Sequence, residues 1–302
     1  MSLLIAFSGQ GNQHGEMFNV LASDKFGKTW LSDASKLINI DLFDALAVEK
    51  ACADVVDTQL LLVILSEGAF YALEKQIQLS PPFLCGYSLG EVSAFCASAR
   101  LDLAESLDLV RNRALMMQEA VKGKSTGLIV LKGRISLAMA SELCEKHGCY
   151  LAIVNADDHY IIGGEEKALL SLLQEAKERS VLKAERLAVK LASHTPLLSE
   201  ASGKFLNYLQ RFKDQRMRFP ILNALTLERV DDTELMLSLL AHELSQTLHW
   251  NKVMSIAKEY GISSFLELGP RAALKNMVPS LLAYNLEGFA SFAGLVNVVQ
   301  RL

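Results

Sequence analysis

The sequence predicts an α/β protein in which a ferredoxin-like unit interrupts a larger α/β body. Two observations carry that expectation. Short apolar runs of strand length end in glycine-containing turns and lead into helical segments, the alternation of a layered sheet. Between about residues 124 and 191 the texture changes to the order β-α-β-β-α-β, a split βαβ pattern. The expected boundaries are therefore 1–123 and 192–302 for the body and 124–191 for the insertion, with no flexible linker between them.

The elements follow in order. LLIAF at 3–7 is an apolar run that ends in the glycine-rich SGQGNQHG. DTQLLLVILSEGAFYALEKQI at 57–77 reads as a helix with Asp57 or Thr58 as N-cap. FLC at 83–85 reads as a strand running into CGYSLGE. A further helix begins near Asp102, where Leu103, Leu107, Val110, Ala114 and Met117 keep one apolar face. In the insertion, GLIVLKG, CYLAIVN, HYIIGG and KAERLAV read as strands; ISLAMASELCEKHG and EEKALLSLLQEAKERS read as helices. ASHTPLLSEASGKFLNYLQRF then resumes helical periodicity, with Thr195 as N-cap and Pro196 at the first helical position. ISSFLELGPRAALKNM reads as strand, tight turn and helix.

Composition excludes several functions. A net charge of −4 with no block of lysine or arginine argues against nucleic acid as the main partner. The apolar run LLLVIL at 60–65 is too short to span a bilayer, which needs roughly 20 residues, so no membrane partner is expected. MSLLIAFSGQG lacks a basic n-region and a cleavage site, and the five irregularly spaced cysteines read as reduced thiols. Together these predict a cytoplasmic protein. Cys144, His147 and Cys149 lack a fourth ligand or a matching second pair, so no metal is expected there. Gly9 and Gly11 begin a dinucleotide-type G-x-G, but His14 occupies the third glycine position.

Ser88 is the strongest chemical candidate. A nucleophile on a strand-to-helix turn needs small neighbours, which Gly86 and Gly90 supply, and a following helix whose N-terminus favours developing negative charge. The bland alternative is a glycine-containing loop. A serine hydroxyl also needs a base, and the chain has six histidines: His14, His147, His159, His194, His242 and His249. His194 stands just before a capped helix, in the loop position that α/β sites use, although a lone histidine is more often structural.

Five ordered segments then carry a resemblance: GQGNQ at 9–13, GYSLGE at 86–91, RALMMQEA at 113–120, ASHTPLL at 192–198 and FLELGP at 265–270. In that order they resemble the malonyl-CoA:acyl-carrier-protein transacylase family over essentially the whole chain. The resemblance implies an α/β-hydrolase-like body with a ferredoxin-like insertion and a Ser/His dyad working through an acyl-enzyme. It implies Ser88 as nucleophile, His194 as general base, and Gln10 and Leu89 as backbone donors to the oxyanion. Arg113, 25 positions after Ser88, would grip the malonyl carboxylate. No bound cofactor is implied. Malonyl-CoA is the expected donor, and a carrier-protein prosthetic-group thiol the expected acceptor.

The sequence also departs from the family. Tyr87 replaces the usual histidine before the nucleophile, Arg271 replaces the second glycine of GPG, and ELSQTLHW offers Glu243 where a glutamine usually orients the histidine through its carbonyl. Tyr87, ASHTP and GLIVLKG together are similar to the epsilon subunit of malonate decarboxylase. That branch would imply the decarboxylase's acyl carrier protein as acceptor and its other subunits as partners. Transfer to the fatty-acid-synthesis carrier is the alternative, and an α/β-type serine hydrolase is a more distant one. A non-catalytic subunit fits poorly, because Ser88, His194, Gln10 and Arg113 all remain.

Overall fold

The computed structural model describes residues 2–278 and 280–302. Among them ten strands form two sheets: β1 (Leu3–Phe7), β2 (Leu84–Gly86), β3 (Thr126–Lys132), β4 (Tyr150–Ala156), β5 (His159–Glu165), β6 (Lys183–Arg186), β7 (Ile221–Leu222), β8 (Arg229–Val230), β9 (Ser264–Leu268) and β10 (Leu282–Asn285). The larger sheet has the order β10-β9-β1-β2-β7-β8 and is parallel except for its β8 edge. Every residue of β1 is buried, which is why LLIAF is apolar throughout rather than alternating. β1 lies inside the sheet, pairing Ile5 with Leu84 on one side and with Leu266 on the other. Ser88 and the Gly9–Gln10 turn therefore emerge together at the carboxyl ends of adjacent parallel strands, where open α/β sheets place ligands.

The long helix Val55–Glu74 covers the sheet and is buried on almost every side. It is long and apolar enough to cross a membrane by length and composition, but 78% of its apolar window is buried inside the protein. Its wrap-around hydrophobicity is that of a core helix. It begins earlier than expected. Asp54, not Asp57 or Thr58, is the N-cap, because its Oδ1 accepts from the amides of Val56 and Asp57 at 2.7 and 3.0 Å. The helix Leu103–Ala120 starts where the sequence predicts, behind an Asp102–Glu105 capping box.

Residues 126–186 contain the β-α-β-β-α-β order and form an antiparallel sheet, β4-β5-β3-β6. One face packs Ile129, Leu131 and Ile162 with apolar residues of its two helices, and Cys144 and Cys149 belong to that core as free thiols. His147 is used locally, bonding Glu175 at 2.8 Å. The other face contributes Leu128, Val130, Ile153 and Ile161 to a cluster shared with Leu248 and Trp250 of the body. Backbone bonds between Val154 and Leu248 and between Leu248 and Ala152, at 2.8 and 3.0 Å, fasten the two units.

Two further expectations are corrected. Thr195 and Pro196 hold the expected N-cap and first helical positions, but of a 3₁₀ turn, Pro196–Leu198, that precedes the helix Ser199–Leu209, and the Thr195 hydroxyl donates to the Ala192 carbonyl at 2.6 Å instead of capping. The segment 269–278 directly after β9 forms no α-helix, only turns and a 3₁₀ segment, Lys275–Met277; the next α-helix is Phe292–Val299. The Glu267 carboxyl accepts from the Leu274 and Lys275 amides at 3.1 and 3.0 Å, taking donors that a helix would use.

Glu67 lies fully buried in the long helix, with Oε1 lacking a partner among the described residues. Burial pushes its carboxyl up to about 8 from 4.5. A raised carboxyl stabilises the fold fully below its unfolded value, and that contribution is lost as pH rises through about 8. Glu67→Gln should therefore flatten the decline in melting temperature between about pH 5 and pH 8, removing a penalty of roughly 2–4 kcal/mol at the alkaline end. Parallel wild-type and variant melting curves across that range would assign the decline to another group.

Candidate active site

The site is built on a crowded turn. A Cβ on Gly86 would land on the Glu91 amide nitrogen and the Gly90 carbonyl carbon, and one on Gly90 would strike the Phe7 carbonyl. Only glycine lets the helix Leu89–Ala99 start this close to β1 and β2. Between them Ser88 is held at φ 56°, ψ −117°, a strained conformation for a side-chain-bearing residue. This is the geometry of a nucleophile elbow, with the hydroxyl at the mouth of a helix N-terminus.

His194 reaches Ser88 from the segment after the four-stranded unit. Its Nε2 lies 2.7 Å from Ser88 Oγ, and its Nδ1 lies 2.6 Å from the Glu243 carbonyl oxygen. A carbonyl only accepts, so Nδ1 carries the proton and Nε2 is left to accept from the serine. The backbone adds a second anchor, His194 N–H to the Leu244 carbonyl at 2.9 Å. The ring is buried, and that burial lowers its pKa to about 3; the Arg113 charge acts in the same direction and the Glu243 carbonyl bond opposes it. His194 is thereby kept neutral.

Arg113 is equally buried. Its Nη1 donates to Gln59 Oε1 at 2.7 Å, while Nε and Nη2 have no partner among the described residues. Burial lowers its pKa to about 10, opposed by the nearby Glu243, so it stays cationic near neutrality. Nε and Nη2 form one edge of the guanidinium, the fork that takes a carboxylate with two parallel bonds. Arg113, Gln59, Gln10, Leu89, Ser88 and His194 all line one cavity of about 90 Å³. That is about three times the liquid volume of one water, space for a small acyl group. Leu89 opens its helix, so its amide is among those without an intrahelical acceptor. A larger cavity of about 690 Å³, beside Trp30 and Phe70, contains none of these groups.

All six sequence candidates thus meet at one place, Glu243 through its main chain. The other histidines do not: His14 bonds Glu287, His147 bonds Glu175, and His159 approaches Asn155. Sequence reasoning missed Gln59, although a glutamine inside the buried run TQLLLVIL was a signal. It also missed the insertion's wall of Leu128, Ile153 and Ile161. Arg271 is accommodated in the left-handed region at φ 54°, its amide donating to Glu287 at 2.8 Å.

A serine on a strained elbow, a neutral histidine fixed by a carbonyl, and helix-end amides define an acyl-transfer centre. The chain belongs to the acyl transferase domain family, whose profile matches residues 5–287. Among its relatives is the malonyl CoA-acyl carrier protein transacylase of Bacillus subtilis, 24% identical over 303 residues that cover 94% of this chain and 74% of that protein. The solved malonyl-CoA:acyl carrier protein transacylase of Helicobacter pylori superposes with a TM-score of 0.90 at 26% identity, covering 100% of this chain and 98% of its own. A malonyl-transacylase solved in complex with a type II polyketide-synthase acyl-carrier protein superposes at 0.91 and 23% identity, with both chains fully covered.

Ser88→Ala should abolish the covalent acyl adduct that intact-mass analysis detects after incubation with a thioester donor. His194→Ala should slow acylation by roughly 10²–10⁴-fold. Because burial holds His194 neutral down to about 3, wild-type acylation should stay level from about pH 7 to about pH 5 rather than falling through the ordinary histidine range. A half-maximal rate near the ordinary value of about 6.5 would show that the ring is not buried during turnover.

Proposed function

We propose that this acyltransferase moves malonyl from malonyl-CoA, through a Ser88 ester, to the thiol of an acyl carrier protein in the cytoplasm. The observation that carries the reading is the open Nε/Nη2 edge of buried Arg113 in the cavity that holds the Ser88–His194 dyad. Buried N–H donors without an acceptor cost free energy, and a substrate carboxylate would satisfy them. The body, residues 1–123 and 192–302, is taken as α/β-hydrolase-like, and 124–191 as a ferredoxin-like insertion that walls the acyl pocket.

In this mechanism His194 Nε2 takes the Ser88 proton as Oγ attacks the thioester carbonyl. The oxyanion is held by the backbone amides of Gln10 and Leu89. The C–S bond breaks, and the histidine returns its proton to the departing CoA sulfur. The carrier thiol then repeats the sequence in reverse, losing its proton to His194 and attacking the seryl ester; Oγ recovers the proton as the new thioester leaves. No bound cofactor enters. Neutralisation of Arg113 by the malonyl carboxylate removes a charge that lowers the pKa of His194, so binding the right substrate makes the base stronger.

For the acceptor, the relatives favour a fatty-acid-type acyl carrier protein over the malonate decarboxylase carrier. A second reading keeps the decarboxylase branch and its other subunits as partners. Its support is Tyr87, whose hydroxyl donates to Asn155 at 3.0 Å and whose ring meets Trp250 edge-on, tying the elbow to the insertion.

Arg113→Ala should depress malonyl-CoA turnover far more than acetyl-CoA turnover, by a difference of about 2–5 kcal/mol. Equal losses for both donors would make Arg113 a structural cation. For the acceptor, kcat/KM should be at least about tenfold higher with the phosphopantetheine carrier than with the dephospho-CoA-type carrier, equivalent to about 1.4 kcal/mol. The reverse preference would move the chain to the decarboxylase branch.

A further inference from the structure

Behind the dyad lie two carboxyl groups that the transfer chemistry does not use. Glu91 and Glu243 are both buried, at 0% and 1% exposure, and each carboxyl acts directly on the other's ionisation. Glu91 Oε1 accepts from Asn223 Nδ2. Its Oε2 and both Glu243 oxygens find no donor among the described residues. Two carboxylates have only acceptors to offer one another, so as a pair of anions they would repel in a medium that screens poorly. One proton between them turns that repulsion into a charge-assisted O–H···O bond.

We propose that Glu91 and Glu243 share a single proton, and that this acid pair positions His194 while holding the net charge behind the site at −1. Both halves follow from the connectivity. Glu91 stands on the nucleophile's own helix, one turn after Ser88, and Glu243 supplies the carbonyl that fixes the His194 tautomer. The shared proton therefore ties the segment orienting the base to the helix carrying the nucleophile. The groups facing the pair are the Cys85 thiol on β2, which burial keeps neutral, the Arg113 guanidinium, the His194 ring, and the polar Asn223 and Ala224 amide. With one negative charge the pair balances Arg113 without competing strongly for it. With two it would repel the incoming substrate carboxylate and push the Glu243 carbonyl away from His194.

Burial raises both carboxyls above the ordinary carboxylate range, the Asn223 bond opposing it at Glu91 and the Arg113 charge opposing it at Glu243, and the two titrate together. The pair keeps its proton below the second ionisation and loses it as pH rises, so the consequence appears on the alkaline side. Glu91 and Glu243 are positioning residues, touching neither substrate nor reacting atoms.

This inference rests on the malonyl-transfer reading only for its kinetic arm. In that arm, single-turnover acylation of Ser88 by malonyl-CoA should fall about tenfold on the alkaline side as the pair loses its shared proton in the wild type. Acylation involves no acceptor thiol, so the carrier's own ionisation cannot produce the limb. Glu91→Gln supplies a permanent N–H donor to Glu243 and fixes the charge at −1, so its profile should be level on that side. Glu91→Ala leaves Glu243 without a partner and should be slow throughout. The second arm needs no donor. Infrared spectra in a Glu67→Gln background, which removes another buried acid, should show a protonated carboxyl band that disappears on alkaline titration and is missing after Glu91→Gln. Should that variant fail to fold, Glu243→Gln must remove the same band. A parent spectrum without the band, or an alkaline limb unchanged in Glu91→Gln, overturns the proposal. The band without malonyl acylation would instead leave the pair standing and remove malonyl-CoA as donor.

Discussion

The 2.6 Å bond from His194 Nδ1 to the Glu243 carbonyl is the interaction on which the rest of the site depends. It decides which ring nitrogen holds the proton, and so which can accept from Ser88. It also sets where the ring lies, because His194 comes from a segment with a left-handed backbone, φ 61°, that nothing local would enforce. The carbonyl itself is placed by the end of the helix Thr233–His242, which packs against the body core through Met236, Leu237 and Leu240. A main-chain oxygen at a helix end cannot rotate away as a side chain can. The dyad is thus held by packing rather than by a third catalytic side chain.

Charge is the second constraint. The described residues bury a guanidinium and an imidazole at one small cavity, with two buried carboxyls behind them. Each would be costly alone, since several kcal/mol separate a buried ion from a paired one. The arrangement leaves the imidazole neutral, sets Arg113 against a carboxyl pair, and keeps one guanidinium edge unsatisfied. In the proposed reading, that residual edge is the demand a dicarboxylic acyl donor meets and an acetyl donor does not. Specificity in that reading comes from penalising the wrong ligand, which leaves that guanidinium edge buried without an acceptor.

Legibility from the sequence followed the range of each physical signal. β1, the helix start near Asp102 and the alternating elements of residues 126–186 are local patterns, legible nearly to the residue. The elbow was legible because a sharp turn demands glycine at two fixed offsets. Errors fell where a distant group overrides a local preference. Glu267 takes the amides that a helix after FLELGP would need, and Thr195 prefers a carbonyl to its own helix. No spacing announces that Gln59, 54 positions from Arg113, holds its guanidinium. His194 could be selected among six histidines only through the resemblance, because its pairing with Ser88 closes 106 positions of chain.

The identity of the histidine's partner also bears on why such a site would transfer rather than hydrolyse. Serine hydrolases orient their histidine with a carboxylate, which stabilises the imidazolium and strengthens the base. Here the orienting atom is a neutral carbonyl, whose bond only partly offsets burial, and the histidine's pKa drops to about 3. A base this weak is poorly matched to water, whose pKa is about 15.7, and better matched to a thiol at about 8.5. Substrate binding improves the base only when a carboxylate neutralises Arg113. The apolar wall of Leu128, Ile153 and Ile161 limits room for water beside the ester. Weak basicity and exclusion of water therefore act together, and both favour delivery of the acyl group to sulfur.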